Sequence, residues 1–163
     1  MRKITILLLA LILSLGFTGC AIKSTQEETE KIKAETASNE SILNFIPDDE
    51  GCRKLIEDME KGEIPISCDV LYDQMGSRPS VLVEDENTII QLYNLFSQIH
   101  VGEKTNESVT DCYHYVLFEL QDGTKVGFSF ENDIWIYGND DERVKVLDAE
   151  PFWKMVRSLQ DAE

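Results

Sequence analysis

The spacing of apolar residues changes period along the chain, and each change marks an element. Cys52, Leu55, Ile56 and Met59 recur at three- and four-residue intervals. This stripe predicts a helix that Asp48 or Asp49 caps and Gly62 ends. After Pro65, alternation of Ile66, Cys68 and Val70 predicts an extended run to Tyr72. Gln74 to Pro79 is turn chemistry, and Ser80 to Val83 reads as a second strand. Ile89, Leu92, Tyr93, Phe96 and Ile99 return to helical spacing, predicting a helix from Glu86 to His100 with Gly102 as its stop. Glu103 to Thr110 reads as polar loop.

From Asp111 onward the period is two. Cys112 to Leu120 and Thr124 to Phe130 flank Asp122-Gly123, a strong hairpin signal. Glu131-Asn132-Asp133 reads as the next turn, Ile134 to Tyr137 as a third strand, and Arg143 to Leu147 as a fourth. Asp148 is placed to cap a last helix with Pro151 in its first turn and Phe152, Trp153, Val156 and Leu159 on its apolar face. The order is helix, two strands, helix, four-strand meander, helix. It predicts an α+β two-layer sandwich, an antiparallel meander sheet with helices mainly on one face.

Strand parity singles out one surface. If Val116, Phe118 and Leu120, then Val126, Phe128 and Phe130, then Ile134 and Ile136 all face the helices, then Tyr113, Tyr115, Trp135 and Tyr137 gather on the opposite side. Amphipathic aromatics on an open sheet face suit ligand or protein contacts. The competing expectation is that a helix covers them, or that Trp135 points into the core.

The N-terminus has a different character. Arg2 and Lys3 precede an apolar run from Ile4 to Leu15, too short for a membrane-spanning helix of ~20 residues. The run Phe17-Thr18-Gly19-Cys20 follows. This segment resembles a bacterial lipoprotein signal peptide, with Thr18, Gly19 and Cys20 matching the lipobox and Phe17 standing where Leu is usual. The resemblance implies cleavage before Cys20, a diacylglyceryl group on Cys20, and a location on the extracytoplasmic face of the cell membrane. Two or more hydrocarbon chains, at ~0.8 kcal/mol per buried methylene, hold a protein stably on a membrane where one does not.

Residues 1–19 are thus expected to be signal, 20–43 a lipidated cysteine and polar tether, and 44–163 a single domain. In layout (signal, tether, strand, helix, meander, final helix) the chain is similar to small Firmicutes lipoproteins without assigned activity. That similarity carries no functional residues.

Charge then narrows the partners. The chain carries a net −16, and loss of Arg2 and Lys3 on cleavage takes it to −18. Phosphate backbones are repelled, so nucleic acid is excluded as a partner, while a basic envelope protein or peptide fits. Three cysteines remain besides Cys20, which allow three single pairings. Cys52 with Cys68 closes the shortest loop, and three buried free thiols is the alternative.

No Cys or His cluster has zinc spacing, and the acidic turns at 131–133 and 139–142 lack the register of a calcium loop. The two histidines, His100 and His114, have no ligand or nucleophile at motif spacing, and no phosphate-binding, hydrolase or dinucleotide motif is present. The sequence therefore points to a membrane-anchored, non-enzymatic binding or accessory module needing no cofactor. The alternatives are an inhibitor or immunity-type lipoprotein that neutralises a basic envelope enzyme or peptide, and a small hydrolase whose residues meet only in three dimensions.

Overall fold

A computed structural model describes residues 40–45, 49–74, 76, 78–108, 112–138 and 142–162. The signal segment, Cys20 and most of the expected tether lie outside them. The described elements are β1 (Glu40–Ser41), α1 (Glu50–Lys61), β2 (Ser67–Asp73), β3 (Val81–Val83), α2 (Glu86–Phe96), β4 (His100–Lys104), β5 (Tyr113–Glu119), β6 (Lys125–Glu131), β7 (Ile134–Tyr137), β8 (Glu142–Leu147) and α3 (Glu150–Gln160). The eight strands form one sheet in the order β1-β4-β8-β7-β6-β5-β2-β3, antiparallel at every pairing. All three helices pack on one face, so the molecule is the α+β two-layer sandwich that the period changes predict.

Local chemistry sets the helix ends. Asp49 caps α1 by accepting the Cys52 N–H at 2.8 Å, and Gly62, at φ 79°, closes it by donating to the carbonyls of Asp58 and Met59. Asp85 does the same for α2 through the Thr88 N–H. In α3 the expected cap fails. Ala149 holds the N-cap position and supplies no side-chain bond. Asp148 instead adopts φ 61° and places Oδ2 3.1 Å from Nδ1 of His100.

The core lies between the helices and one sheet face. Phe96 of α2 is its hub, with ring centroids 4.7 Å from Phe128, 5.2 Å from Phe152 and 6.0 Å from Phe118. Each is fully buried, and burial of such a ring contributes about 1.5–3 kcal/mol.

Two elements differ from the sequence expectation. The second helix stops at Phe96, and His100 to Lys104 form a strand on β8, with Val101 opposite Val146. Gly102 serves there as a close approach, since a Cβ on it would meet the Lys145 carbonyl oxygen at 3.0 Å. The folded unit also begins earlier than residue 44. Glu40 and Ser41 pair with Val101 and His100, while Ile42 and Leu43 are buried in the core.

Candidate functional site

Register decides which side chains share a face. Phe130 lies opposite Trp135, and Trp135 opposite Val144, so Trp135 and Tyr137 project to the helix side with the core phenylalanines. Tyr113 and Tyr115 project to the helix-free side. The four aromatics therefore do not form the single face expected from parity. Trp135 is 1% exposed and packs against Phe45 and Phe128, with Tyr137 stacked on it at 4.8 Å. Ile134 and Ile136 take the opposite side, beside Glu131 and Ser129.

The helix-free face has two parts. Over β7 and β8 it is covered by the segment after β4. Thr105 donates its N–H to the Arg143 carbonyl, Lys145 contacts Glu107 at 3.2 Å, and Arg143 forms a two-pronged pair with Glu131. Ile134 is buried beneath this network. Over β2, β3, β5 and the start of β6 the face is open. Leu82 and Tyr113 are 58% and 49% exposed, and Leu71, Tyr115 and Leu117 are half-buried. Tyr115 donates its hydroxyl to Oδ2 of Asp69 at 2.9 Å, and the other oxygen of Asp69 has no hydrogen-bond partner among the described residues. Burial raises the Tyr115 hydroxyl pKa, and the Asp69 charge adds to the rise.

A break in sheet pairing adjoins this open area. β6 spans seven residues but pairs with β7 only at Ser129, Phe130 and Glu131. The β7 side of residues 125–128 has no strand partner among the described residues. A cleft of about 510 Å³ fills the gap, lined by the α1 cap Asp49 and by Cys52 of α1, Lys125 and Gly127 of β6, and Trp135 and Tyr137 of β7. Both aromatics from the third meander strand thus border a cavity, though from the opposite side of the sheet to Tyr113 and Tyr115. Sequence parity missed this cleft because it reflects where pairing stops.

The three described cysteines, Cys52, Cys68 and Cys112, are free thiols. Cys52 and Cys68 are buried, on α1 and β2, and Cys112 is half-buried. Of the two alternatives for Cys52 and Cys68, a disulfide or buried free thiols, the structure has the free thiols. Burial pushes the Cys52 thiol up to about 12, with the nearby Asp49 charge adding to it, and raises Cys68 likewise. Both are therefore protonated, unreactive core groups rather than nucleophiles.

His114, in β5, is wholly buried, with its Nδ1 accepting the Asp73 N–H at 3.1 Å. Burial holds its pKa below the ordinary histidine value. His100 lies in β4 rather than at a helix end. Of the acidic turns, Glu131-Asn132-Asp133 is a tight β-turn with Asn132 at φ 57°, and residues 139–141 of the other lie outside the described residues. Among the described residues no three His, Cys, Asp or Glu side chains lie close enough to hold a metal ion. No protein-family model matches this chain, and no curated protein or solved structure is significantly similar to it.

Proposed function

We propose that the chain is an extracytoplasmic lipoprotein, anchored through lipid on Cys20, that acts as a non-enzymatic binding module for a basic envelope protein or peptide. The observation that carries the reading is the stretch of β6, residues 125–128, that has no strand partner on its β7 side among the described residues and faces the 510 Å³ cleft. An extended segment entering there satisfies backbone groups of β6 and meets the rings of Trp135 and Tyr137. Such strand addition takes its affinity from main-chain hydrogen bonds and its selectivity from side-chain pockets. The net charge of −16 favours a cationic segment and repels an anionic one.

The anchor is tested by mass spectrometry of the mature protein. A diacylglyceryl cysteine at position 20 is expected, and Cys20→Ala should release the protein from membranes or leave an uncleaved precursor. An unmodified mature terminus overturns the anchor alone. The binding site is tested with the 15N-labelled protein and a short extended peptide carrying lysines at alternate positions, compared with its glutamate counterpart. The lysine peptide should shift the Gly127 amide and the Trp135 indole resonance. Tyr137→Ala, which removes one of the two rings lining the cleft, should weaken the shift severalfold. Equal effects from both peptides, or from neither, overturn the site.

A further inference from the structure

A second cleft, of about 220 Å³, lies at the far end of the sheet's helix side. Tyr72 of β2, His114 of β5, Asp133 of the β6–β7 turn, Val146 of β8, and Glu150 and Trp153 of α3 line it. Its wall is an aromatic stack. His114 lies 4.1 Å from Tyr72 at 14°, with Trp153 5.1 Å from His114, and the Arg157 guanidinium sits over the Tyr72 ring at 4.7 Å.

Two polar atoms in that wall are unaccounted for. Because His114 Nδ1 accepts the Asp73 N–H, the proton of the neutral ring is on Nε2. This Nε2–H and the Trp153 Nε1–H are both buried without a hydrogen-bond partner among the described residues. Buried donors are normally paired, because leaving one unmade forfeits its bond to water. Here two occur in adjacent rings of one cleft. The first turn of α3, whose cap Ala149 also lines the cleft, lacks a side-chain acceptor. All three features call for oxygen acceptors.

The cleft is unsuited to a simple anion. Asp133 and Glu150 are exposed at its mouth, and the whole chain is acidic. Arg157 holds Glu150 at 2.5 Å and Asn132 donates to Asp133 at 3.1 Å, so Asp133 is the carboxylate more open to a cation. The volume is below the range of about 300–1,000 Å³ usual for larger ligands, which limits the occupant to about amino-acid size.

We propose that this cleft binds a small zwitterion, its carboxylate taken by the His114 and Trp153 ring N–H donors and its ammonium by Asp133, with Glu150 beside it. Both nitrogens are buried, so binding on this proposal requires the Tyr72 and Trp153 rings to part.

The chain's two tryptophans and two histidines give well-separated reporters. Titration of the 15N-labelled protein with glycine, L-alanine and L-serine should produce a saturable shift of the Trp153 indole N–H while the Trp135 indole stays in place. Acetate and methylammonium, each carrying half the chemistry, should shift it far less. Trp153→Phe, which removes the donor and keeps a ring, should abolish binding. Asp133→Asn, at an exposed position that spares the fold, should weaken it about tenfold. The proposal is overturned if no amino acid gives a saturable shift, if acetate matches them, or if Trp135 moves in parallel. Since Trp135 and Gly127 report on the strand-addition cleft, the two sites succeed or fail separately.

Discussion

The two faces of the sheet carry similar residues and have different consequences. On the helix side, Val116, Phe118, Val126, Phe128 and Phe130 are buried beneath the helices. On the other side, Leu71, Leu82, Tyr113, Tyr115 and Leu117 are as apolar, yet water reaches them. Apolar content alone therefore does not identify a core. What separates the faces is whether a second layer lies over them, and the topology places α1, α2 and α3 all on the same side. The largest expected contrast follows. Phe96→Ala opens a cavity beneath four other rings and should cost about 3–5 kcal/mol in denaturant melts. Leu82→Ser on the open face should stay within about 0.5 kcal/mol. If the two substitutions cost the same, the open face is covered in solution.

A second contrast concerns where the folded unit begins. A chain starting at Asn44 lacks β1 and the buried Ile42 and Leu43, so it should lose about 2–5 kcal/mol relative to one starting at Ala37. An unchanged melting temperature would show that β1 and these side chains add nothing to the core.

How far the sequence reveals this fold depends on the contrast between sides of each element. β5 and β6 alternate cleanly between bulky apolar and polar or small residues, and their parity is legible. β7 has isoleucines on one side and aromatics on the other, so its own sequence cannot orient it. Orientation comes from the turn. Reading Glu131-Asn132-Asp133 as three turn residues shifts the register by one, and a one-residue slip exchanges the faces. The actual turn has two residues, Asn132 and Asp133, which places Glu131 opposite Ile134 and sends Trp135 inward. Asn132 in the left-handed region suits such a turn, so the signal was present.

β4 was hidden differently. His100-Val101-Gly102-Glu103-Lys104 has one buried side chain and a glycine that reads as a helix stop, and pairing with β8 makes it a strand. Neither candidate cleft has a local signature. One is formed by pairing that ends early, and the other by rings from β2, β5 and α3.

Titration sharpens the contrast further, because His114, Cys52 and Cys68 are buried titratable groups of the covered side. His114 has a folded pKa below its ordinary value of about 6.5. As pH falls below that value, the unfolded chain takes up a proton that the folded one refuses, so stability is lost on acidification. Between pH 7.5 and 5, the denaturation midpoint should fall more for the parent than for His114→Gln. Equal slopes would mean that His114 is protonated in place.

The buried thiols act at the other end. With Cys52 raised to about 12 and Cys68 raised too, stability is complete below the unfolded thiol value of about 8.5 and declines as pH rises toward 12. A thiol reagent at pH 8 should label half-buried Cys112 first, with Cys52 and Cys68 reacting at the rate of unfolding. Simultaneous labelling of all three would contradict their burial.

The smallest effect belongs to the open face and tests why that face tolerates change. Tyr115 donates its hydroxyl to Asp69, whose register neighbours on either side are Leu82 and Leu117. Tyr115→Phe removes that bond and keeps the ring. Were Asp69 sealed from water, an abandoned carboxylate would cost several kcal/mol, as a broken buried charge pair does. Asp69 is half-buried as a residue, but its Oδ1 is itself buried without a hydrogen-bond partner among the described residues. A water molecule therefore replaces the hydroxyl only at Oδ2, and the loss should be about 0.5–1.5 kcal/mol. Asp69→Asn alone should cost a similar amount. The double variant should cost less than the sum, since the second change removes a bond already lost. A strictly additive result would separate the two groups. A cost for Tyr115→Phe matching that of Phe96→Ala would mean that the open face is closed in solution by a layer of its own, and the distinction between the faces would fail at its centre.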